Sequence, residues 1–455
     1  MIKNLLTAAV VAASIPATAQ QTISDNGTGQ VLLFPFYNAD NASTTMAHVV
    51  NNTADTKAVK VRFLEFLSGA VAIEFNLYLS PYDVFPVAIA ASLTGGAEVL
   101  TADDSCTVPR LGTSNGPTYS GTTTELSDGS TLRSQPFVPF LYADDEVNGV
   151  ARTLMGSLEV IEMGVVDGAL VDVTKCDEIA ELWDTNGVSG AWSTNSSTNL
   201  SAPTGGLSGN SYFIKVDSAY STSIPVTAID GWSTTVQHKA PGSMLPTLDQ
   251  GVKTATVNGQ LVDYTSKANG SALATSALLA AHTVLNEVTV ERSIGASTDV
   301  ILSYPTKRYF VSGETALAPF TEVYDNTKDE STSCETYKLS QYDREGFSNT
   351  GANSFSSVTT NGVAGPVCDN LTVVSFGPSS ALGVGSVSVP AGFSYQAGVA
   401  KFVGEQVMPE SDNGVTITGL PVIGFASTRI ANGVMSYGYS SPNKTFATMT
   451  VTSGS

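Results

Sequence analysis

The chain has 455 residues, 42% of them hydrophobic, with 41 acidic against 21 basic side chains and a formal charge of −20. That imbalance argues against a nucleic-acid or anionic-lipid surface, since both are bound by cationic neutralisation of phosphate. A low charged fraction (14%), with 41 glycines and 20 prolines, describes a large turn-rich globule rather than a disordered chain.

Residues 1–19 read as an export leader. Lys3 precedes an apolar run from Leu5 to Ile15, Pro16 breaks it, and Ala17-Thr18-Ala19 supplies a small-x-small cleavage pattern. The run is shorter than the roughly 20 residues a membrane span needs. The mature chain is therefore expected to start at Gln20 in the periplasm, on the outer surface or outside the cell. Ala272–Leu285 comes closest to a later span but carries Thr275, Ser276, His282 and Thr283, so no transmembrane span is expected. An outer-membrane barrel is expected to close on an aromatic-ended strand; this chain ends Val451-Thr452-Ser453-Gly454-Ser455.

The clearest strands come early. Val31–Phe34 runs into Pro35. Val59-Lys60-Val61-Arg62-Phe63 alternates strictly, placing Lys60 and Arg62 on an expected wet face, and Ile73–Leu79 repeats the device. Ser80-Pro81-Tyr82-Asp83 ends that strand. Thr94–Arg133 reads as a long loop with short edge strands, and Leu158–Val166 as a strand. A short helix opens at Thr174-Lys175-Cys176-Asp177 with a capping-box-like start, Cys176, Ile179 and Trp183 sharing a face. Residues 183–209 are loop-like, and Tyr212–Val216 is a strand.

The longest predicted helix is Ser271–Asn286, on the stripe Leu273, Ala277, Ala281 and Leu285. Strands are expected at Val300–Tyr304, Arg308–Val311, Leu371–Phe376, Val415–Ile417, Val422–Phe425 and Phe446–Val451. The fold class is thus all-β or β-dominated: sandwich-like domains with one medium helix and long loops. A β-rich domain is expected over residues 20–230 and a second over 231–455, the latter holding the helix 271–286. The boundary rests on Gly231 and the run Ala240–Gly251.

Four cysteines in an exported chain point to two disulfides, and nearest-neighbour pairing gives Cys106–Cys176 and Cys334–Cys368. Cysteine-based metal binding fails on spacing, with no CxxC and no histidine near any cysteine. Gly112-Thr113-Ser114-Asn115-Gly116 matches a nucleophile elbow but lies between Pro109 and Pro117, without the strand and helix that strain such a serine. His48, His238 and His282 have no ligand spacing. Glu159 and Glu162, three apart on a strand, should face opposite ways, so they make a poor glycosidase pair. Asp343 and Glu345 flank Arg344, and an ion pair is expected there. Asp103-Asp104 and Asp325 to Glu330 are acidic loops. The candidate Ca²⁺ ligands are Asp144, Asp145 and Asn148, chosen on oxygen chemistry alone. Trp183, Trp192 and Trp232 lie in or beside loops, where an exposed indole would stack on a sugar ring.

Several stretches form a specific pattern: Gly29–Tyr37, Val49–Thr53, Lys57–Phe63, Phe75–Val84, Glu159–Gly164, Pro203–Leu207 and Tyr304-Pro305-Thr306-Lys307-Arg308. In these the chain resembles a family of uncharacterised exported, strand-rich proteins from Gram-negative bacteria. The resemblance runs in patches through most of the mature chain. It implies a secreted strand-rich protein with paired cysteines, and brings no activity and no catalytic residues. The stretch around Asn148 is shorter than in similar proteins, which bears on the ion site.

The function expected is that of a non-enzymatic secreted or cell-envelope protein, structural or adhesive, working through sheet edges and loops. Self-association through the strand Phe446–Val451 is one form of it. The alternative is a carbohydrate-binding or polysaccharide-active extracellular protein, and a Ca²⁺-stabilised surface protein is a third.

Overall fold

The computed structural model describes residues 19–114, 120–185, 187–327, 333–348, 353–354, 367–384, 388–433 and 435–452. The expected leader up to Thr18, Asn115-Gly116, Lys328–Glu330 and the last three residues lie outside them. Strands outweigh helices by 46% to 11%, arranged in several mostly antiparallel sheets, so the fold is β-dominated and sandwich-like.

The first half builds two sheets. One runs, in spatial order, Thr22–Ile23, Thr227–Asp230, Val31–Asn38, Met155–Val166, Thr56–Glu65, Val71–Leu79 and Cys106–Val108. The other runs Tyr220–Ile224, Leu207–Lys215, Ser43–Asn51, Val84–Ala91, Ala97–Thr101, Thr131–Pro136 and Thr122–Glu125. The alternating residues Val59, Val61 and Phe63 meet Leu158 and Val160 of their own sheet and Phe85, Val87 and Ile89 of the other. Each such side chain fully buried adds about 1.5–3 kcal/mol.

The second half repeats the scheme with two five-stranded sheets. Their central strands are Ala397–Gly404 and Ala296–Ser303, and Leu371–Phe376 pairs in parallel with Ser388–Ala391. Helix α1 (Cys176–Trp183) and α2 (Ala191–Thr194) sit over the first sheet. Helix α3 (Gly270–Leu279) lies in the second core, and α4 (Arg308–Val311) is a single turn. None of the described helices is long and apolar enough to cross a membrane.

Several expectations need correction. The helix predicted to Asn286 stops at Leu279, and Thr283–Thr289 is instead a strand paired with Ala397–Gly404. Nearly every residue of α3 is buried, so its four-residue stripe does not mark a boundary between core and water. Beyond it, β-branched Thr283, Val284, Val288 and Thr289 suit the pleat better than a helix. Arg308–Val311 is helical rather than extended, a short apolar run being ambiguous by periodicity. Helix α1 forms, but its cap, Lys175, makes no side-chain capping bond.

A further correction concerns the expected wet face of the first sheet. Lys60 and Arg62 are fully buried, as are Lys57, Glu65, Glu159 and Glu162. The segment leading from the first half into the second, and the second half itself, cover that face. Val31, Leu33 and Ile161 pack there with Trp232, Leu248, Leu279 and Ile423, and Phe36 meets Phe425 with ring centroids 6.1 Å apart. The two halves therefore share core. Residues just after the leader pattern add a clamp: Gln21 forms a bridge with Ala255, its Nε2 donates to the Val252 carbonyl, and Thr275 donates to its Oε1.

Candidate functional site

Burying so many charges requires partners, and the partners create the site. Arg62, in the middle of Thr56–Glu65, sends Nη1 to Glu159 Oε1 at 2.5 Å and Nε to Glu74 Oε2 at 3.2 Å. Its Nη2 donates to the carbonyls of Met244 (3.0 Å) and Pro246 (2.7 Å), which fastens the covering segment down. From the second half, Arg308 on α4 reaches Glu159 Oε2 at 3.1 Å and donates to the Tyr309 hydroxyl at 2.7 Å. Glu159 is thus gripped by one guanidinium from each half. Glu162 faces the other way, held by Lys57 Nζ at 2.8 Å and by the amides of Thr204 and Gly205.

Beside this runs a second network. Arg152 pairs with Glu65 (Nη2 to Oε1, 2.8 Å) and Asp145 (Nη1 to Oδ2, 2.7 Å), its guanidinium lying 4.0 Å from the Tyr142 ring centroid. Tyr324 donates to Asp145 Oδ2 at 3.0 Å. Glu65 also accepts from the amides of Leu67, Ser68 and Ala70, shaping a turn that requires Gly69: its φ is +74°, and a Cβ there would stand 2.8 Å from the Asn370 side chain.

Between the two networks lies a cleft of about 560 Å³ formed by both halves. Tyr142, Tyr309 and Tyr324 give it aromatic walls, Arg308 and Asp145 polar ones, and Leu141 and Met244 stand exposed in its lining. The Tyr142 hydroxyl is buried and has no hydrogen-bond partner among the described residues. Burial, with Glu65 close by, pushes its pKa up, so it is a neutral donor and acceptor. Three guanidinium groups (Arg62, Arg152, Arg308) face four carboxylates (Glu65, Glu74, Asp145, Glu159), and each carboxylate touches a guanidinium. The two networks that flank the cleft are together close to charge balance.

The residues singled out from the sequence fall elsewhere or play other parts. Asp145 is in the cleft wall, engaged by Arg152 and Tyr324. Asp144 and Asn148 are exposed, and Asn148 donates to the Ala143 carbonyl. Among the described residues, no group of three or more His, Cys, Asp or Glu side chains gathers as a metal site. Trp183, Trp192 and Trp232 are only 6%, 1% and 0% exposed, so none offers an indole face to a sugar. Trp232 fills the core between the halves. Trp192 stacks on Tyr78 at 5.5 Å, and both pack against Trp183 and His238.

That cluster is ordered by a relay. The Ser196 carbonyl can only accept, so His238 Nδ1 carries the proton at 2.7 Å from it; Nε2 then accepts from the Tyr78 hydroxyl at 2.9 Å. Trp183 Nε1 donates to the same hydroxyl at 3.0 Å. Burial lowers the pKa of His238 to about 4.

Cys334 and Cys368 form the expected disulfide. Cys106 and Cys176 are neighbours as expected, but as thiols hydrogen-bonded to one another rather than as a second disulfide, with Arg110 donating to Cys176 Sγ. Arg344 pairs with Glu291 at 3.6 Å rather than with its sequence neighbours.

No protein-family model, curated protein or solved structure matches the chain.

Proposed function

We propose that the protein is an exported, non-enzymatic binding protein of structural or adhesive kind, and that its cleft receives a neutral, hydroxyl-rich ring such as a glycan unit. The observation that carries this is Tyr142, which lines the cleft and whose buried hydroxyl meets no hydrogen-bond partner among the described residues. Leaving such a group unmet costs about 1–3 kcal/mol, and a ligand hydroxyl would meet it. Tyrosine walls suit the apolar faces of a sugar ring. Near charge balance favours a neutral ligand over an anion. Each carboxylate of the two networks sits against a guanidinium, a charge-assisted pairing that fixes its position beside the cleft. The leader pattern and the Cys334–Cys368 bond support export into an oxidising space.

The test is a glycan array followed by calorimetry on the best neutral hit. Tyr142→Phe should weaken binding about tenfold, the loss of one hydrogen bond, while the melting temperature of the ligand-free protein holds or rises, because the unmet hydroxyl is gone. Absence of any neutral-glycan binding, or equal affinity in the variant, overturns the reading.

A second reading, self-association through a sheet edge, is favoured by Thr122–Glu125. This strand ends the second sheet, all four residues are exposed, and no described strand pairs with its outer edge. The terminal strand expected in this role is paired within the chain, Thr448–Val451 with Val415–Thr418 and Lys444–Phe446 with Thr283–Leu285. Thr123→Pro should then shift a self-associated species to monomer in sedimentation; an unchanged profile removes this reading.

A further inference from the structure

The Cys106–Cys176 pair lies away from the cleft and takes no part in the proposed binding. Cys106 opens the edge strand Cys106–Val108 and is buried, 1% exposed. Cys176 is the first residue of α1 and only half-buried. Three features favour negative charge on Cys176 Sγ alone. The Cys106 thiol donates to it, the Arg110 guanidinium donates to it, and it sits where the free amides of the first turn of α1 gather. Cys106, set in the apolar cluster of Tyr78, Met163, Ile179 and Trp183, has the opposite surroundings.

We infer that Cys106 and Cys176 form a thiol–disulfide exchange site, in which an external disulfide enters at Cys176 and Cys106 resolves the resulting mixed disulfide. In the first step the Cys176 thiolate attacks one sulfur of R–S–S–R. A Cys176–S–S–R bond forms, the R–S–S–R bond breaks, and one RS⁻ leaves. In the second step Cys106 attacks Cys176 Sγ, the Cys176–S–S–R bond breaks, and the Cys106 proton passes to the departing sulfur, which leaves as RSH. Two protein thiols are oxidised to one internal disulfide, and the entering disulfide is reduced to two thiols. The direction follows from access: an incoming sulfur reaches Cys176, while Cys106 is shielded by the cluster around it.

Electrostatics agree with this division. The hydrogen bond from Cys106, with help from Arg110 and against burial, brings Cys176 down to about 7, and the same bond together with burial pushes Cys106 upward. Closing the bond would tie α1, and the α1–α2 layer over the first sheet, to an edge strand of that sheet. Opening it would leave that layer held by Tyr78, Trp183, Trp192 and His238.

The experiment uses the intact folded protein, reduced with dithiothreitol under native conditions, desalted and exposed to oxidised glutathione. Samples quenched in acid are mapped by mass spectrometry. The expected course is a transient glutathione adduct on Cys176 only, followed by a Cys106–Cys176 peptide cross-link. In Cys106→Ser the adduct should accumulate on Cys176, and Arg110→Ala should slow its formation about tenfold, as loss of a neighbouring cation does for a thiolate. Iodoacetamide labelling of the reduced wild type serves as a check independent of variant folding, and should mark Cys176 well before Cys106. A first adduct on Cys106, equal labelling of the two thiols, or thiols that stay unlinked in oxidised glutathione would overturn the proposal. So would a pre-existing bond that resists native reduction.

Discussion

Lowering the pH from about 7 to about 5 puts the His238 ring under a specific stress. Its Nδ1 already donates to Ser196, so a second proton must go to Nε2, where the Tyr78 hydroxyl now donates. Two donors would then face each other, and Tyr78 cannot simply turn away while it accepts from Trp183. The ring's pKa is about 4 in the fold against 6.5 when free, with burial the main cause. Because the folded value is the lower one, the unfolded chain binds more protons between the two values, and stability falls as the pH drops through that window. At 1.36 kcal/mol per unit, the full loss below pH 4 is roughly 3 kcal/mol, of which about 2 kcal/mol appears between pH 7 and 5. Many carboxylates titrate nearby, so the assay is a comparison. Urea unfolding of wild type and His238→Gln is measured at both pH values, glutamine supplying an uncharged acceptor. Wild type should lose about 2 kcal/mol more than the variant on acidification. Equal losses would refute both the neutral ring and the hydrogen-bond order assigned to it.

The remaining predictions concern the core. Arg62→Met strands Glu74 and leaves Glu159 to Arg308 alone, so unfolding free energy should fall by about 3–5 kcal/mol in denaturant titration; a loss below about 1 kcal/mol would mean water already reaches these carboxylates. Replacing Cys334 and Cys368 by alanine opens a loop spanning 34 residues and should cost up to about 4 kcal/mol, read in the same way. With Trp183, Trp192 and Trp232 all enclosed, native emission should be blue-shifted and resist acrylamide until urea unfolds the chain; quenching of the native protein comparable to the unfolded one would contradict their burial.

How much of this is legible in the sequence depends on whether a feature is local. The strands Thr56–Glu65 and Val71–Leu79 announce themselves, because period two survives wherever side chains alternate in polarity. Polarity is not exposure, however. Lys60 and Arg62 look solvent-facing, and only the return of residues 239–246 and 308 from far along the chain buries them. Glu159 looks unpromising for the same reason: its opposition to Glu162 is readable from parity, but its two arginine partners are not neighbours in sequence. The tryptophans mislead because loop-like composition suggests exposure, while an indole of that size is drawn into the core of any layer packed on a sheet. Of the cleft, Arg308 falls within the distinctive run Tyr304–Arg308 and Asp145 among the acidic loops, three residues after Tyr142, yet nothing local connects Arg308 to either. An adjacent Arg308-Tyr309 following a proline turn is the available signal.

The strand Val31–Asn38 is flanked in its sheet by Thr227–Asp230 and Met155–Val166, segments translated long after it. A chain threaded outward from its amino end would therefore emerge with its most apolar ribbon waiting, unable to close the first sandwich before residue 230 has crossed. Pairings of such long range form slowly and leave sticky edges bare in the meantime. Secretion of such a polypeptide would depend on an escort that shields the early ribbon, and truncations ending short of residue 227 should precipitate rather than yield a smaller folded unit.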